Sequence, residues 1–133
     1  MLFLLDTDTC SYSIRGVSVA LDAKLASAKP GTLALSAVTR AELMFGLEKR
    51  GNPRKLSRLV HGFLDRMTVM PWDAAAADEY ARARAHLERG GTPIGMFDTL
   101  VAGHALALKA TLVTNNLKHF QKVKALKIEN WLE

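Results

Sequence analysis

The sequence predicts an α/β protein with three layers, α/β/α, built on a central, mainly parallel sheet of four to five short strands. Short apolar runs recur along the 133 residues and alternate with longer stretches of helical spacing. The strand candidates are continuously apolar, as in a sheet covered on both faces. Turn formers such as Gly31, Gly51, Pro53, Gly90 and Pro93 punctuate the alternation. One domain over residues 1–133 is expected, long enough to bury a single sizeable core.

The first strand is Leu2-Phe3-Leu4-Leu5. It stops at Asp6, and strand alternation would aim Asp6 and Asp8 the same way. Ligands in open α/β sheets bind beyond the carboxyl ends of the strands, so a carboxylate here is poised for a cation or a substrate. The plainer reading is a helix cap. A short helix over about 9–14 is broken by Gly16, and a second carries Val19, Leu21 and Leu25. After Lys29-Pro30-Gly31, residues 32–35 form the second strand, with Ser36 as the N-cap of a helix bearing Val38, Ala41, Leu43, Phe45 and Leu47. Thr39 lies in the first turn of that helix. Glu42 is either a solvated flank residue or a carboxylate tilted back over the sheet edge.

Gly51-Asn52-Pro53 leads into a helix over about 54–66. Lys49, Arg50, Arg54, Lys55 and Arg58 crowd this junction, which reads equally as an RNA contact or a solvated face. His61 and Asp65 are spaced for a surface pair. Residues 67–70 are a third strand. Asp73 caps a long helix through Leu87, with Asp78 and Glu79 assigned to its first turn. The helix from about 95 to 108 is the most apolar, with Phe97, Leu100, Val101, Ala105 and Leu108 in register and Asp98 in its first turn. A carboxylate opening an apolar helix is costly unless a cation faces it or the helix dipole offsets it. His104 reads as a hydrogen-bonded core histidine. Residues 112–114 are a fourth strand with Asn115-Asn116 past its end, and 128–131 a last edge strand.

Bulk features bound the function. The composition is 49% hydrophobic and 23% charged, as in ordinary globular proteins. No apolar run is long enough to cross a bilayer, and the start lacks a basic signal region. The lone cysteine, Cys10, reads as a small core residue, and a reducing, cytoplasmic setting is expected. The net charge is +5, which favours a polyanionic partner. The topology gathers Asp6, Glu42, Asp98 and Asn116 at one edge. Oxygen donors without cysteine or histidine favour Mg²⁺ or Mn²⁺ over zinc. Such a cation activates water and neutralises phosphoryl charge, which suits phosphodiester hydrolysis. Nothing matches a P-loop, a nucleophile elbow or a dinucleotide fingerprint.

Four segments in order, 4–10, 36–43, 97–102 and 113–120, give the chain a family likeness over its whole length. They read LLDTDTC, SAVTRAEL, FDTLVA and VTNNLKHF. The chain resembles PIN-domain ribonucleases, and among them the VapC toxins of bacterial toxin–antitoxin pairs. The resemblance implies Mg²⁺-dependent endonucleolytic cleavage of RNA, with tRNA the preferred substrate. It also implies a homodimer and a small VapB-like antitoxin that covers the site. It makes Asp6, Glu42 and Asp98 the acidic core, with the cation on Asp6 and Asp98 and Asn116 beside them. Thr7, Asp8, Ser36, Thr39 and Thr114 are expected to support these groups. RNA is expected on Arg40, Lys49, Arg50, Arg54, Lys55 and Arg58, with Arg40 open between substrate and partner.

Two departures stand out. Asp8 replaces the usual Asn, and neither Asn116 nor His119 is the acid many members carry there, which favours one tightly bound cation over two. A haloacid-dehalogenase-like phosphatase is the rival enzyme, with Asp6 as nucleophile and Asp8 as acid. Against it stand Cys10, a single Asp98 where an acidic pair is usual, and the short chain. A non-catalytic RNA-binding module is the third reading, opposed by the retained carboxylates.

Overall fold

The computed structural model describes residues 1–132. Its sheet has five strands, all parallel, in the order β3-β2-β1-β4-β5. They are β1 (Phe3–Leu5), β2 (Leu33–Ser36), β3 (Thr68–Met70), β4 (Thr111–Val113) and β5 (Lys127–Glu129). Each differs from the sequence expectation by one or two residues at one or both ends. The helices are α1 (Thr7–Arg15), α2 (Val19–Ser27), α3 (Ala37–Lys49), α4 (Arg54–Asp65), α5 (Ala74–Arg89), α6 (Met96–Leu108) and the four-residue α7 (Leu117–Phe120). The sequence reading did not separate α7 as a helix. No described helix is long and apolar enough to cross a membrane.

Alternation along the strands builds two cores rather than the single one expected. Leu4, Ala34 and Leu112 face one side, where they meet Val101, Ala102 and Ala105 of α6 and Ala83 and Leu87 of α5. Leu5, Leu35 and Val113 face the other, against Leu21, Leu43, Leu47, Val60 and Phe63 of α2, α3 and α4. A strand apolar at every position is therefore required, since neither face meets water. Cys10 is fully buried in the second core, and burial pushes its thiol well above the ordinary range, as suits a packing residue.

Several local expectations change. Helix α1 starts at Thr7 because Asp6 caps it, so Asp8 lies exposed in a helical first turn and does not continue the strand alternation. Helix α5 starts at Ala74, which puts Asp78 and Glu79 beyond its first turn; Glu79 instead pairs with Arg82 at 3.1 Å. His61 and Asp65 are both exposed and form no ion pair within 4.0 Å. Phe45 is 65% exposed: two residues from Leu43, it lies about 200° round the helix from the buried row. Phe97 shares the row of Val101 and Ala105 but sits in the first turn, where the row runs out past the core, and is 53% exposed.

Helices α5 and α6 pack closely through Gly103. A Cβ there would stand 2.6 Å from both the backbone N and Cα of Tyr80. Helix backbone has little room to yield. Gly103→Ala is therefore expected to destabilise the fold by about 1–3 kcal/mol, in the range of core overpacking. The urea midpoint should fall with an unchanged slope, and an unshifted midpoint would mean that the helix pair gives way freely.

Candidate active site at the carboxyl edge of the sheet

The chain runs from β1 outward to β2 and β3, then returns to place β4 on the other side of β1. This makes the β1–β4 gap a topological switch point, where open parallel sheets leave a crevice. Asp6 stands at its mouth. Its backbone N–H donates to the Val113 carbonyl at 3.0 Å, and Thr9 Oγ1 donates to the same carbonyl at 3.2 Å. The Asp6 carboxylate in turn accepts the Thr9 backbone N–H at 2.9 Å, so it caps α1 while fixed to the end of β4. Asp6 is 6% exposed. Burial raises its pKa above the ordinary carboxylate value, opposed by hydrogen bonds from Thr114 and Thr9 and reinforced by the nearby charge of Asp8.

Two further carboxylates stand on other helices. Glu42 on α3 accepts the Thr7 hydroxyl at 2.6 Å, which ties α3 to the start of α1. Asp98 in the first turn of α6 lies 3.4 Å, Oδ2 to Nδ1, from His119 on α7. Its pKa is raised by partial burial, lowered by His119, and raised again by Asp8. Asp8 thus acts on both Asp6 and Asp98. The His119 contact is a feature that the sequence reading, which noted only a missing acid, did not anticipate.

The supporting residues divide. Thr7 bonds to Glu42 and Thr114 lies close enough to lower the pKa of Asp6, whereas Ser36 and Thr39 make no hydrogen bond to a carboxylate. Ser36 Oγ accepts the Val38 N–H and meets Nδ1 of buried His104 at 2.8 Å. Burial lowers the pKa of His104 and holds it neutral, the core role expected of it. Thr39 is fully buried with an unpaired hydroxyl. Asn116 is half-buried and donates its backbone N–H to Thr114 Oγ1, leaving its side chain free of any cap bond.

A cleft of about 510 Å³ runs from Thr7, Asp8 and Glu42 between α1, α3 and α4 to Arg15 and Arg50. Arg15, which the sequence reading passed over, stacks on Tyr12 at 5.0 Å. Arg50 is anchored to the Gly46 carbonyl at 3.2 Å. Arg40, Lys49, Arg54, Lys55 and Arg58 are all exposed, and none is in an ion pair among the described residues.

These donors fit a hard cation. No described Lys or Arg nitrogen lies within 4.0 Å of Asp6, Asp8, Glu42 or Asp98, and His119 is the basic side chain that stands beside Asp98. Carboxylate, amide and hydroxyl oxygens are the donors that Mg²⁺ and Mn²⁺ accept. Among the described residues no three His, Cys, Asp or Glu side chains form a ready-made metal cage. One or two carboxylates, with water and substrate phosphate completing the shell, is the usual pattern for a small divalent ion.

The raised pKa of Asp6 has a consequence for stability. Its folded value exceeds its unfolded one, so the folded chain is favoured at low pH and loses that advantage as pH rises through the raised value. Asn caps a helix as well as Asp and carries no charge to bury. In chelator, Asp6→Asn is expected to melt higher than the parent at pH 7. The two melting curves should converge below about pH 3.9, the ordinary aspartate value. A variant that melts lower at pH 7 would show that charge burial is not the dominant effect at this position.

Known proteins resemble this chain along nearly its whole length. The PIN domain family matches residues 3–126. The tRNA(fMet)-specific endonuclease VapC of Shigella flexneri is 36% identical over 129 residues, covering 97% of each chain. Ribonuclease VapC2 of Rickettsia felis is 36% identical over 132 residues, covering 98% of each. A chain in the crystal structure of VapBC2 from Rickettsia felis bound to a DNA fragment from their promoter superposes with a TM-score of 0.92 at 36% identity, covering 98% of this chain and 99% of that one. The structure of VapBC-1 from nontypeable Haemophilus influenzae gives 0.90 at 28% identity, covering 100% of both. The chain belongs to the PIN-domain family, and within it to the VapC ribonucleases.

Proposed function

We propose that this chain is the toxin of a type II toxin–antitoxin pair, a divalent-metal-dependent endoribonuclease that cuts tRNA. The observation that carries the reading is the buried carboxylate of Asp6 at the β1–β4 switch point, with Glu42 and Asp98 supplied by two other helices and no described Lys or Arg paired with any of the three. Family membership supports the nuclease class, and the tRNA-specific relative supports the substrate. The cation is Mg²⁺, with Mn²⁺ able to substitute, held by Asp6 and Asp98. When bound, it neutralises charge developing on the phosphoryl group and lowers the pKa of a water.

The chain's own residues do the rest. Asp6 is fixed in place by the Val113 carbonyl and the Thr9 N–H, so it binds with little reorganisation. Glu42, held by Thr7, stands at the cleft, where a carboxylate takes a proton from the attacking water. The free side chain of Asn116 orients water or a phosphate oxygen. Arg40, Lys49, Arg50, Arg54, Lys55 and Arg58 hold the RNA backbone, and Arg15 joins them along the cleft wall. Residues 1–133 act as one nuclease domain in the cytoplasm. The partners are a VapB-like antitoxin, as in the VapBC complexes whose chains superpose on this one, and a second copy of the chain. Exposed Phe45, Met96 and Phe97 offer apolar surface for such contacts.

The phosphatase alternative requires an aspartyl-phosphate on Asp6. The Asp6 carboxylate already caps α1, which favours a holding role over a nucleophilic one.

Asp6→Asn and Asp98→Asn are each expected to abolish cleavage of tRNA by the purified chain while far-ultraviolet circular dichroism stays unchanged. Full cleavage by either variant would overturn the assignment. Reversing Arg54, Lys55 and Arg58 to Glu is expected to weaken tRNA binding and flatten its dependence on salt. Each lost phosphate contact removes about 0.7–0.9 from the log–log slope. An unchanged slope would return these residues to a merely solvated face.

A further inference from the structure

We propose that His119 is a nitrogen donor of the cation site, and that it biases the site toward Mn²⁺ over Mg²⁺ beyond what carboxylates alone would do. The proposal rests on the nuclease reading above and deepens it. His119 stands on α7, which begins at Leu117, three residues past Thr114, the residue that follows β4. Its Nδ1 lies 3.4 Å from Asp98 Oδ2. An N–H···O hydrogen bond is ordinarily about 2.9–3.0 Å, so this contact is long for one. Two neighbouring donors on a six-coordinate ion with bonds of about 2.1 Å stand about 3 Å apart, so little movement separates the pair seen here from a shared cation. The two side chains are 44% and 42% exposed, which leaves a hydrated ion free to reach them. Asp8 lies close enough to act on Asp98, and no Lys or Arg nitrogen competes within 4.0 Å.

The chemistry of the donors gives the selectivity. Mg²⁺ dehydrates reluctantly and prefers oxygen, whereas imidazole suits the transition metals and Mn²⁺ accepts it beside carboxylate. A carboxylate at position 119 would serve both ions through oxygen. The imidazole rewards only the ion that accepts nitrogen.

The test uses the full chain with Mn²⁺ or Mg²⁺ alone and no RNA. Pulsed electron paramagnetic resonance of bound Mn²⁺ is expected to show coupling to a directly ligated nitrogen in the parent and none in His119→Asp. In calorimetric titrations, the ratio of Mn²⁺ to Mg²⁺ affinity is expected to fall by about tenfold in His119→Asp, the size of effect that loss of one metal-positioning group produces. His119→Asn, which keeps a hydrogen bond to Asp98, should lose the nitrogen coupling as well. Parent-bound Mn²⁺ without nitrogen coupling, or a ratio unchanged in His119→Asp, would reduce His119 to a hydrogen-bond partner of Asp98. Asp98→Asn separates the two levels. If it loses the ion while the parent shows no nitrogen coupling, the nuclease reading stands and only this proposal falls. If it binds Mn²⁺ as the parent does, Asp98 is not a ligand and both fall.

Discussion

The arrangement at the sheet edge depends on one constraint: a nearly buried carboxylate must be held where its charge is disfavoured. Asp6 meets this with two kinds of anchor. Its backbone completes the pairing of β1 with β4 through the Val113 carbonyl, and its side chain takes the N–H of Thr9 at the start of α1. A helix N-terminus is the place in a fold where a negative charge is least penalised. Even so, burial outweighs the hydrogen bonds and the pKa rises. A rigid, under-compensated anion is the kind of group that binds a cation with little cost of reorganisation. Capping and binding are therefore compatible descriptions of Asp6, since the cap supplies the rigidity that binding uses.

The same logic orders the neighbours. Thr7 follows Asp6 directly, and because α1 begins there its hydroxyl is turned to Glu42 on α3. A single turn of α1 thus coordinates two carboxylates from distant parts of the sequence. On the other side, Ser36 at the end of β2 meets His104 of α6, six residues beyond Asp98. That buried contact pins α6 to the strand end from which α3 departs, and so relates the helix bearing Asp98 to the helix bearing Glu42. Ser36 does not touch a carboxylate; its influence runs through the packing of α3 and α6.

Much of this was legible in the sequence because the signals were local. Continuous apolar runs such as Leu4-Leu5 and Leu112-Val113 mark strands buried on both faces. Ser36 and Asp73 are capping residues placed just before helices, and both cap them. What escaped depends on three-dimensional direction. Phe45 belongs to an apolar helix, yet its angular position sends it to solvent. Asp8 leaves the strand alternation because the helix begins one residue after Asp6 and changes the period from 2 to 3.6. The pairing of His119 with Asp98 spans 21 residues, and no spacing rule links a four-residue helix to the first turn of α6. Arg15 is near Glu42 only because α1 and α3 pack side by side.

Charge divides the surface in a way that the net value conceals. The chain carries +5, yet no described Lys or Arg nitrogen lies within 4.0 Å of Asp6, Asp8, Glu42 or Asp98. The positive charge is carried elsewhere, conspicuously on the α3–α4 junction and the cleft wall at Arg15 and Arg50. A polyanion drawn to that junction meets like charge at the edge of the sheet, and a cation there would reduce that repulsion. Attraction at the junction and repulsion at the edge therefore act on a polyanion in opposite senses. Asp8 strengthens the effect, because it raises the pKa of both Asp6 and Asp98 while itself remaining exposed. An amide at that position would lower the local negative charge by one unit and weaken both the repulsion of a phosphate and the pull on a cation.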